Sequence, residues 1–437
     1  MDQVEVRTMA KVSKRLLPFL ILCFMAAYLD RINVGIAAIQ MNKNLGFSAT
    51  MYAIGAGIFF LGYFIFEIPS NLMLHKFGAR RWIARIMISW GMVSSLMAFV
   101  WNEQSFYILR FFLGVAEAGF FPGIIYYLTY WFPEKRRAKV FGLFLVATPI
   151  AIIIGSPVSG LLLNLEGWLG LHGWQSMFII EGIPSILLGF VVLKFLPDGP
   201  KDATWLADEE RSWLLGEMAR ETKEENSHTL SSFGAAMLDK RIYAFGIAYV
   251  GIISGLYGII LWLPQIVKGF GLSNSVVGFV TAIPYCAAAL GMVYWSRHSD
   301  RTGERPWHVA GACFLAGFGL ALSAWITGPA MSMVVLVIAA VGVFSAMATF
   351  WALPTSFLSG AGAAVGIAAI NSIGNLGGFS GPYVVGYIKD ATGSFSAGML
   401  FLSGCIVLCG IIVLSMYRGK ANAVLPNAVR AKPEGVL

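Results

Sequence analysis

Residues 16–40 read LLPFLILCFMAAYLDRINVGIAAIQ, an apolar run that carries an adjacent acid and base, Asp30-Arg31, past its midpoint. A helix needs about 20 predominantly apolar residues to cross the hydrocarbon core, and this run has them. Eleven more follow, at 50–74, 86–101, 105–129, 140–164, 174–193, 242–263, 276–296, 307–326, 330–350, 361–387 and 394–416. The third is drawn short because Arg85 precedes it. Transmembrane strands would be about ten residues long and alternating, so helices are the spanning element. Composition agrees: the 437 residues are 57% hydrophobic and 12% charged, about half the charged fraction of a typical soluble domain. The first run lacks a small-residue cleavage site after its apolar core, so it reads as a retained span and not a signal peptide.

The net charge of +8 would suit nucleic acid if it were gathered on one domain. Instead the basic residues lie between the apolar runs, which is a topology signal. They crowd the N-terminus, the loops after the second, fourth, sixth and eighth runs, and the C-terminal tail, although the loop after the tenth run has none. The alternate loops hold only Lys43, Lys268 and Lys389, and Arg31 and Arg110 lie inside spans. Both termini are therefore expected in the cytoplasm, which requires an even number of spans. Between 194 and 241 the membrane pattern stops. Asp198-Gly199-Pro200 marks a turn, and Asp208 to Arg220 carries Trp213, Leu214 and Met218 at helical spacing. This segment reads as a cytoplasmic amphipathic linker between membrane domains at 16–193 and 242–416. The five cysteines, Cys23, Cys286, Cys313, Cys405 and Cys409, fall in apolar stretches without metal-ligand spacing and read as packing residues.

His75-Lys76-Phe77-Gly78-Ala79-Arg80 recurs 225 residues later as Asp300-Arg301-Thr302-Gly303-Glu304-Arg305. The same offset carries Pro157 onto Pro382, and the start of the first span to within a residue of the start of the seventh. Three coincidences at one offset indicate duplicated six-span halves, the architecture in which a site forms at mid-membrane between repeats. The expected fold is an all-α polytopic membrane protein of twelve transmembrane helices in two pseudo-symmetric six-helix bundles.

Two six-helix halves, a long central loop and paired D-R-x-G-x-R loops resemble the major facilitator superfamily. So does Arg110-x-x-x-Gly114-x-x-x-Ala118 in the fourth span. Tyr28-Leu29-Asp30-Arg31-Ile32-Asn33, Phe66-Glu67-Ile68-Pro69-Ser70-Asn71, Gly114-Val115-Ala116-Glu117-Ala118-Gly119, Trp131-Phe132-Pro133 and Asn371-Ser372-Ile373-Gly374-Asn375 are similar to its anion:cation symporter family. The likeness covers nearly the whole chain except the tails. It implies a bacterial cytoplasmic (inner) membrane protein, working as a monomer in the bilayer, that carries small organic acids. His75 departs from the loop motif, which usually has an acid there. The paired loop residues Gly78, Arg80, Asp300, Arg301, Gly303 and Arg305 are the expected conformational elements.

A charge at mid-bilayer costs about 2.5–3.5 kcal/mol even on lenient scales, so each one needs a reason. Asp30, Arg31, Glu67, Arg110, Glu117 and Glu181 lie within spans, and the repeat counterparts of 30, 31 and 117 are Gly255, Leu256 and Gly342. Arg31 is the first candidate for substrate binding, because a permanently charged guanidinium can hold a carboxylate bidentately. The competing reading is an ion pair with Asp30 or with an acid on a neighbouring helix. Tyr28, three residues earlier, and Tyr63 are candidate phenols of the same cavity, or packing residues. Asp30 and Glu117 are the candidate proton carriers. Arg110 and Glu117 are two helical turns apart and share a face, either as a permanent network or as a pair that exchanges a cation for a proton. Glu67 and Glu181 read as helix-end or gate residues. In the second half the family pattern favours Trp351 and Asn371 as pocket residues, although Trp351 could anchor at the interface and Asn375 could join helices.

These residues suit a proton-coupled importer of a small carboxylate such as a tartrate-like or aromatic acid, with protons as coupling ions and no other cofactor. An exchanger or uniporter remains the alternative. An enzyme is disfavoured, since neither a nucleophile motif nor a metal constellation occurs within the spans, and so is a non-transporting sensor. Nucleic acid is not an expected partner.

Overall fold

The computed structural model describes residues 3–226, 239–358 and 360–417. The second part of the expected linker, 227–238, and the four cations of the C-terminal tail lie outside the described residues. The first half comprises α1 (Gln3–Leu45), α2 (Ala49–Phe77), α3 (Ala79–Leu96), α4 (Glu103–Glu117), α5 (Phe120–Thr129), α6 (Glu134–Leu162) and α7 (Gly173–Phe195). After α8 (Asp208–Asn226) come α9 (Lys240–Lys268), α10 (Asn274–Thr302), α11 (Pro306–Ser323), α12 (Pro329–Phe350), α13 (Gly360–Thr392) and α14 (Ser396–Tyr417). The α4–α5 pair makes one crossing and α8 makes none, leaving twelve crossings. Eleven of these segments are apolar enough to span on composition alone. The remaining one, α13, is 33 residues long and rich in glycine. Large apolar side chains such as Ile68, Leu72, Leu187 and Leu290 face outward, where lipid would cover them.

Two span readings change. The third helix begins at Ala79 and not at 86, taking Arg80, Arg81 and Arg85 into its first turns. Arg85 lies 4.0 Å over the Trp82 ring, an amphipathic arrangement that lets its charge reach the interface. The fourth span is broken. Gly119, two residues after Glu117, adopts φ +84°, and a Cβ there would stand 2.4 Å from Ser70 Oγ. Only glycine fits that left-handed turn without strain.

The internal repeat is visible in the helices. α2 and α10 are both 29 residues long and displaced by the same 225 residues. The halves meet along two seams that the repeat exchanges: α2 against α13, and α10 against α6. In one seam Gly160 meets Gly278 and the Asn274 carbonyl; in the other Gly386 meets Ala53 and the Ala49 carbonyl. Small residues at both crossings let the backbones approach. Each seam also has a cross-half hydrogen bond at the face opposite the chain ends. Asn164 Nδ2 donates to Ser275 Oγ at 2.5 Å, and the Asp390 carboxylate accepts from the amides of Ala49 (2.9 Å) and Thr50 (2.7 Å).

On the terminal face, where Gln3 and Tyr417 lie, α8 rests on the first half. Arg7 and Lys11 of α1 pair with Glu209 and Glu210, and Arg137 pairs with Glu221. The repeated loops are held differently in the two halves. Gly78 (φ +84°) closes α2, and Arg80 binds Asp198 through its amide (3.1 Å) and guanidinium (3.4 Å). Gly303 (φ +69°) closes α10, and Arg305 folds back onto Asp300 at 2.6 Å. Arg301 is exposed. The anomalous His75 binds the Tyr126 hydroxyl at 2.8 Å, so an imidazole–phenol bond joins α2 to α5 where an acid would have sought a cation.

Asp390 lies beyond the spanning part of α13. Partial burial pushes its pKa up, but the bonds from Thr50, Ser48 and Ala49 outweigh this and hold it below the ordinary carboxylate range. Because the value is depressed, the clasp is intact at neutral pH and is lost only as pH falls through the lowered pKa. A carboxylate at a helix N-terminus contributes about 0.3–1 kcal/mol. Asp390→Ala is therefore expected to raise the population open on that face by roughly two- to fivefold. Spin labels at Gln104 and Thr327, read by pulsed electron resonance, would show it as a longer-distance component; an unchanged distribution contradicts the clasp.

Candidate functional site

Arg31 stands at mid-depth on α1, where the halves meet. Its Nε is 2.5 Å from Glu117 Oε1, and one terminal nitrogen donates to Tyr257 Oη of α9 at 3.3 Å. The guanidinium also lies over the rings of Tyr28 (5.4 Å), Phe59 (5.5 Å) and Tyr63 (5.1 Å). An aromatic box around a cation favours it electrostatically while excluding water. Glu117 is fully buried, whereas the Arg31 side chain keeps 14% exposure. Arg31 thus touches both halves and remains the open member of the pair.

The break after Glu117 explains its position. As the last residue of α4 it faces the negative end of that helix, a placement disfavoured for a carboxylate, and Arg31 compensates. Removing one partner of such a buried pair costs about 3–5 kcal/mol, because the other is left uncompensated. Arg110 does not pair with Glu117. Its Nε and one terminal nitrogen donate to the carbonyls of Gly55 (3.3 Å) and Ala56 (3.0 Å), fastening α4 to α2. That crossing is tight: a Cβ on Gly114 would lie 2.0 Å from the Phe59 carbonyl.

Asp30 turns away from Arg31. Its buried carboxylate accepts from Trp90 Nε1 (2.9 Å), Ser94 Oγ (2.6 Å) and Ser185 Oγ (2.7 Å), all inside the first half. Of the two ion-pair partners open to Arg31, the neighbouring helix supplies the one it has. Glu67 is buried and reaches across the halves, accepting from Asn371 Nδ2 at 3.4 Å. It therefore sits against one of the expected pocket residues. Trp351, half-buried at the end of α12, stands edge-on to Tyr249 at 5.0 Å, and Tyr28 lies close to both Tyr249 and Tyr257.

The structure brings Tyr28, Arg31, Tyr63 and Glu117 into one cluster and connects Asn371 to it through Glu67. It sets Asp30 and Arg110 to either side. Tyr249 and Tyr257 were not anticipated. Their repeat counterparts, Phe24 and Ile32, are apolar, so the offset gave no hint; their hydroxyls inside a buried apolar helix were the available signal. Trp90 and Ser94, one turn apart on α3, carried a similar signal for the Asp30 cradle.

The sequence profile of the Major Facilitator Superfamily matches residues 20–382. A protein of Agrobacterium vitis described as a "Putative tartrate transporter" is 52% identical over 423 residues, covering 97% of this chain and 94% of that protein. A "Quinolone resistance transporter" of Acinetobacter baumannii is 42% identical, covering 92% of this chain and 93% of its own length. Among solved structures, a bacterial homologue of the human lysosomal transporter Spinster superposes with a TM-score of 0.74 at 16% identity, over 92% of this chain and 96% of that one. The fold, the repeat and these relatives agree: this chain belongs to the major facilitator superfamily and is a membrane transporter.

Proposed function

We propose that the protein is a proton-coupled importer of a small organic carboxylate, with tartrate-like hydroxy acids the favoured class, in a bacterial inner membrane. One observation carries this reading: Arg31, the mid-membrane cation that bridges both halves, is held by a carboxylate that a substrate carboxylate could replace. Tyr28, Tyr63, Tyr257, Asn371 and Trp351 would shape the pocket around it. The 52% identical Agrobacterium protein supports the substrate class by its name. The terminal face would be cytoplasmic by the positive-inside rule. The cross-half bonds at Asn164–Ser275 and Asp390–Ala49 then close the outer side.

An anion is driven outward by the membrane potential, so its accumulation needs co-transported cations. Substrate bound to Arg31 displaces Glu117, and a buried carboxylate without its cation takes up a proton. Both charges would then cross together, and reopening to the cytoplasm would restore the ion pair and release both. Asp30 serves as a second proton carrier in this scheme, Arg110 holds the α2–α4 frame, and a monomer suffices. The Acinetobacter relative favours a second reading in which the same site takes a drug for export; uptake of organic acid by oriented vesicles separates the two.

Charge-assisted hydrogen bonds are worth about 1.5–3 kcal/mol each, so Arg31→Ala is expected to weaken carboxylate binding by at least roughly tenfold. Thermal stabilisation of the purified protein by tartrate should disappear in that variant, and Arg31→Lys should restore little because an ammonium lacks the planar fork. Full stabilisation of Arg31→Ala would refute the assignment. Glu117→Gln should keep tartrate binding yet lose accumulation driven by a pH gradient in proteoliposomes. Wild-type gradient-driven uptake in that variant removes Glu117 from the coupling.

A further inference from the structure

The membrane interior of the first half holds four carboxyl groups, Asp30, Glu67, Glu117 and Glu181, against two guanidinium groups, Arg31 and Arg110; Arg31 is mostly buried within the cluster already described and the other five are buried. Glu117 takes Arg31, which also lies near Glu67. Arg110 spends its hydrogen bonds on carbonyls. Among the described residues, neither Asp30 nor Glu181 has a cation at ion-pair distance. An isolated ionised carboxylate in such surroundings is strongly disfavoured, and two neighbouring ones more so.

The two carboxyls differ in what they meet. Asp30 has three donors and no bare oxygen, a cradle suited to a charge. Glu181 has one donor, Ser159 Oγ, which reaches Oε1 at 2.6 Å. Its Oε2 is buried without a partner, and so are both side-chain polar atoms of Asn33. Asn33, fully buried on α1, faces Glu181 without meeting it at hydrogen-bond geometry. Glu181 and Ser185 are one turn apart on α7, and Asp30 and Asn33 are nearly so on α1, so the two carboxyls share a single polar seam. The groups facing Glu181 are Asp30 and Asn33 from α1 and Ser159 from α6, and α3 contributes Trp90 and Ser94 to the Asp30 end of the seam. Asp30 is the titratable one among them.

We infer that Glu181 is a proton-binding site of its own, off the substrate path, with the proton on Oε2 directed at the Asn33 amide oxygen. This proton gives the bare Oε2 a hydrogen to donate and gives Asn33 a partner. It also leaves Asp30 free to be the charged member of the seam, since the two need not ionise together. A sodium ion fits less well: Asp30's oxygens are already taken, and too few oxygens remain to replace a hydration shell. The inference does not depend on which substrate is carried.

Infrared spectroscopy of the reconstituted protein at neutral pH tests it directly. A carboxylic-acid C=O band that shifts in heavy water is expected in the wild type, with the contribution of one group lost in Glu181→Gln, which preserves shape and the Ser159 contact. Ser159→Ala provides the second reading. It leaves the proton in place but removes the hydrogen bond to the carbonyl oxygen, so the same band should move to higher frequency. A band unchanged in both variants overturns the inference. So does a sodium-dependent gain in thermal stability, at fixed pH and ionic strength, that Glu181→Gln abolishes. If Glu181→Gln does not fold, the frequency shift in Ser159→Ala decides.

Discussion

The structure turns on one ion pair, Arg31 with Glu117, buried where two six-helix bundles meet. Charges are expensive in a bilayer, and a pair at this depth persists only if each member meets the other's needs. Glu117 needs Arg31 because it ends a helix and has no second donor. Arg31 needs Glu117 less, since three aromatic rings and the Tyr257 hydroxyl also attend it. That inequality makes the carboxylate the replaceable partner.

Around this pair the bundle is divided between rigid and exchangeable parts. Small residues draw α2 onto α13 and α10 onto α6 by equivalent contacts, so the seams can rock as two copies of one hinge. Among the described residues, polar clasps cap those seams at the face opposite the chain ends, at Asn164–Ser275 and at Asp390 with the α2 N-terminus. The α8 segment and its ion pairs are anchored to the first half on the other face, where they leave the seams unburdened. The charges are equally lopsided. The first half carries the acids and arginines of the membrane interior, and the second offers tyrosines, Trp351 and Asn371 against them.

Much of this was legible in the sequence, for physical reasons. Hydropathy reveals spans because lipid permits no unsatisfied backbone, and the 225-residue repeat reappears in the matching bounds of α2 and α10. Arg31 was legible because a cation inside an apolar run has few explanations. Its partner was less so: Asp30 is adjacent in sequence, but successive residues point about 100° apart on a helix, and the two side chains enter different clusters. Arg110 was matched to Glu117 by spacing alone, yet the buried carbonyls of Gly55 and Ala56 on α2 captured it. The break at Gly119 was hidden because a left-handed glycine leaves no periodicity signal. Glu67 looked like a gate residue near Pro69; only the packing of α2 on α13 places it against Asn371.

The central claim is that substrate and Glu117 compete for the same guanidinium. Calorimetric titration of the purified protein with tartrate, repeated in buffers of different ionisation enthalpy, measures the protons exchanged on binding. If the carboxylates compete, binding is accompanied by net proton uptake, and Glu117→Gln removes that uptake while binding persists. Tartrate binding with no proton uptake in the wild type would contradict the account.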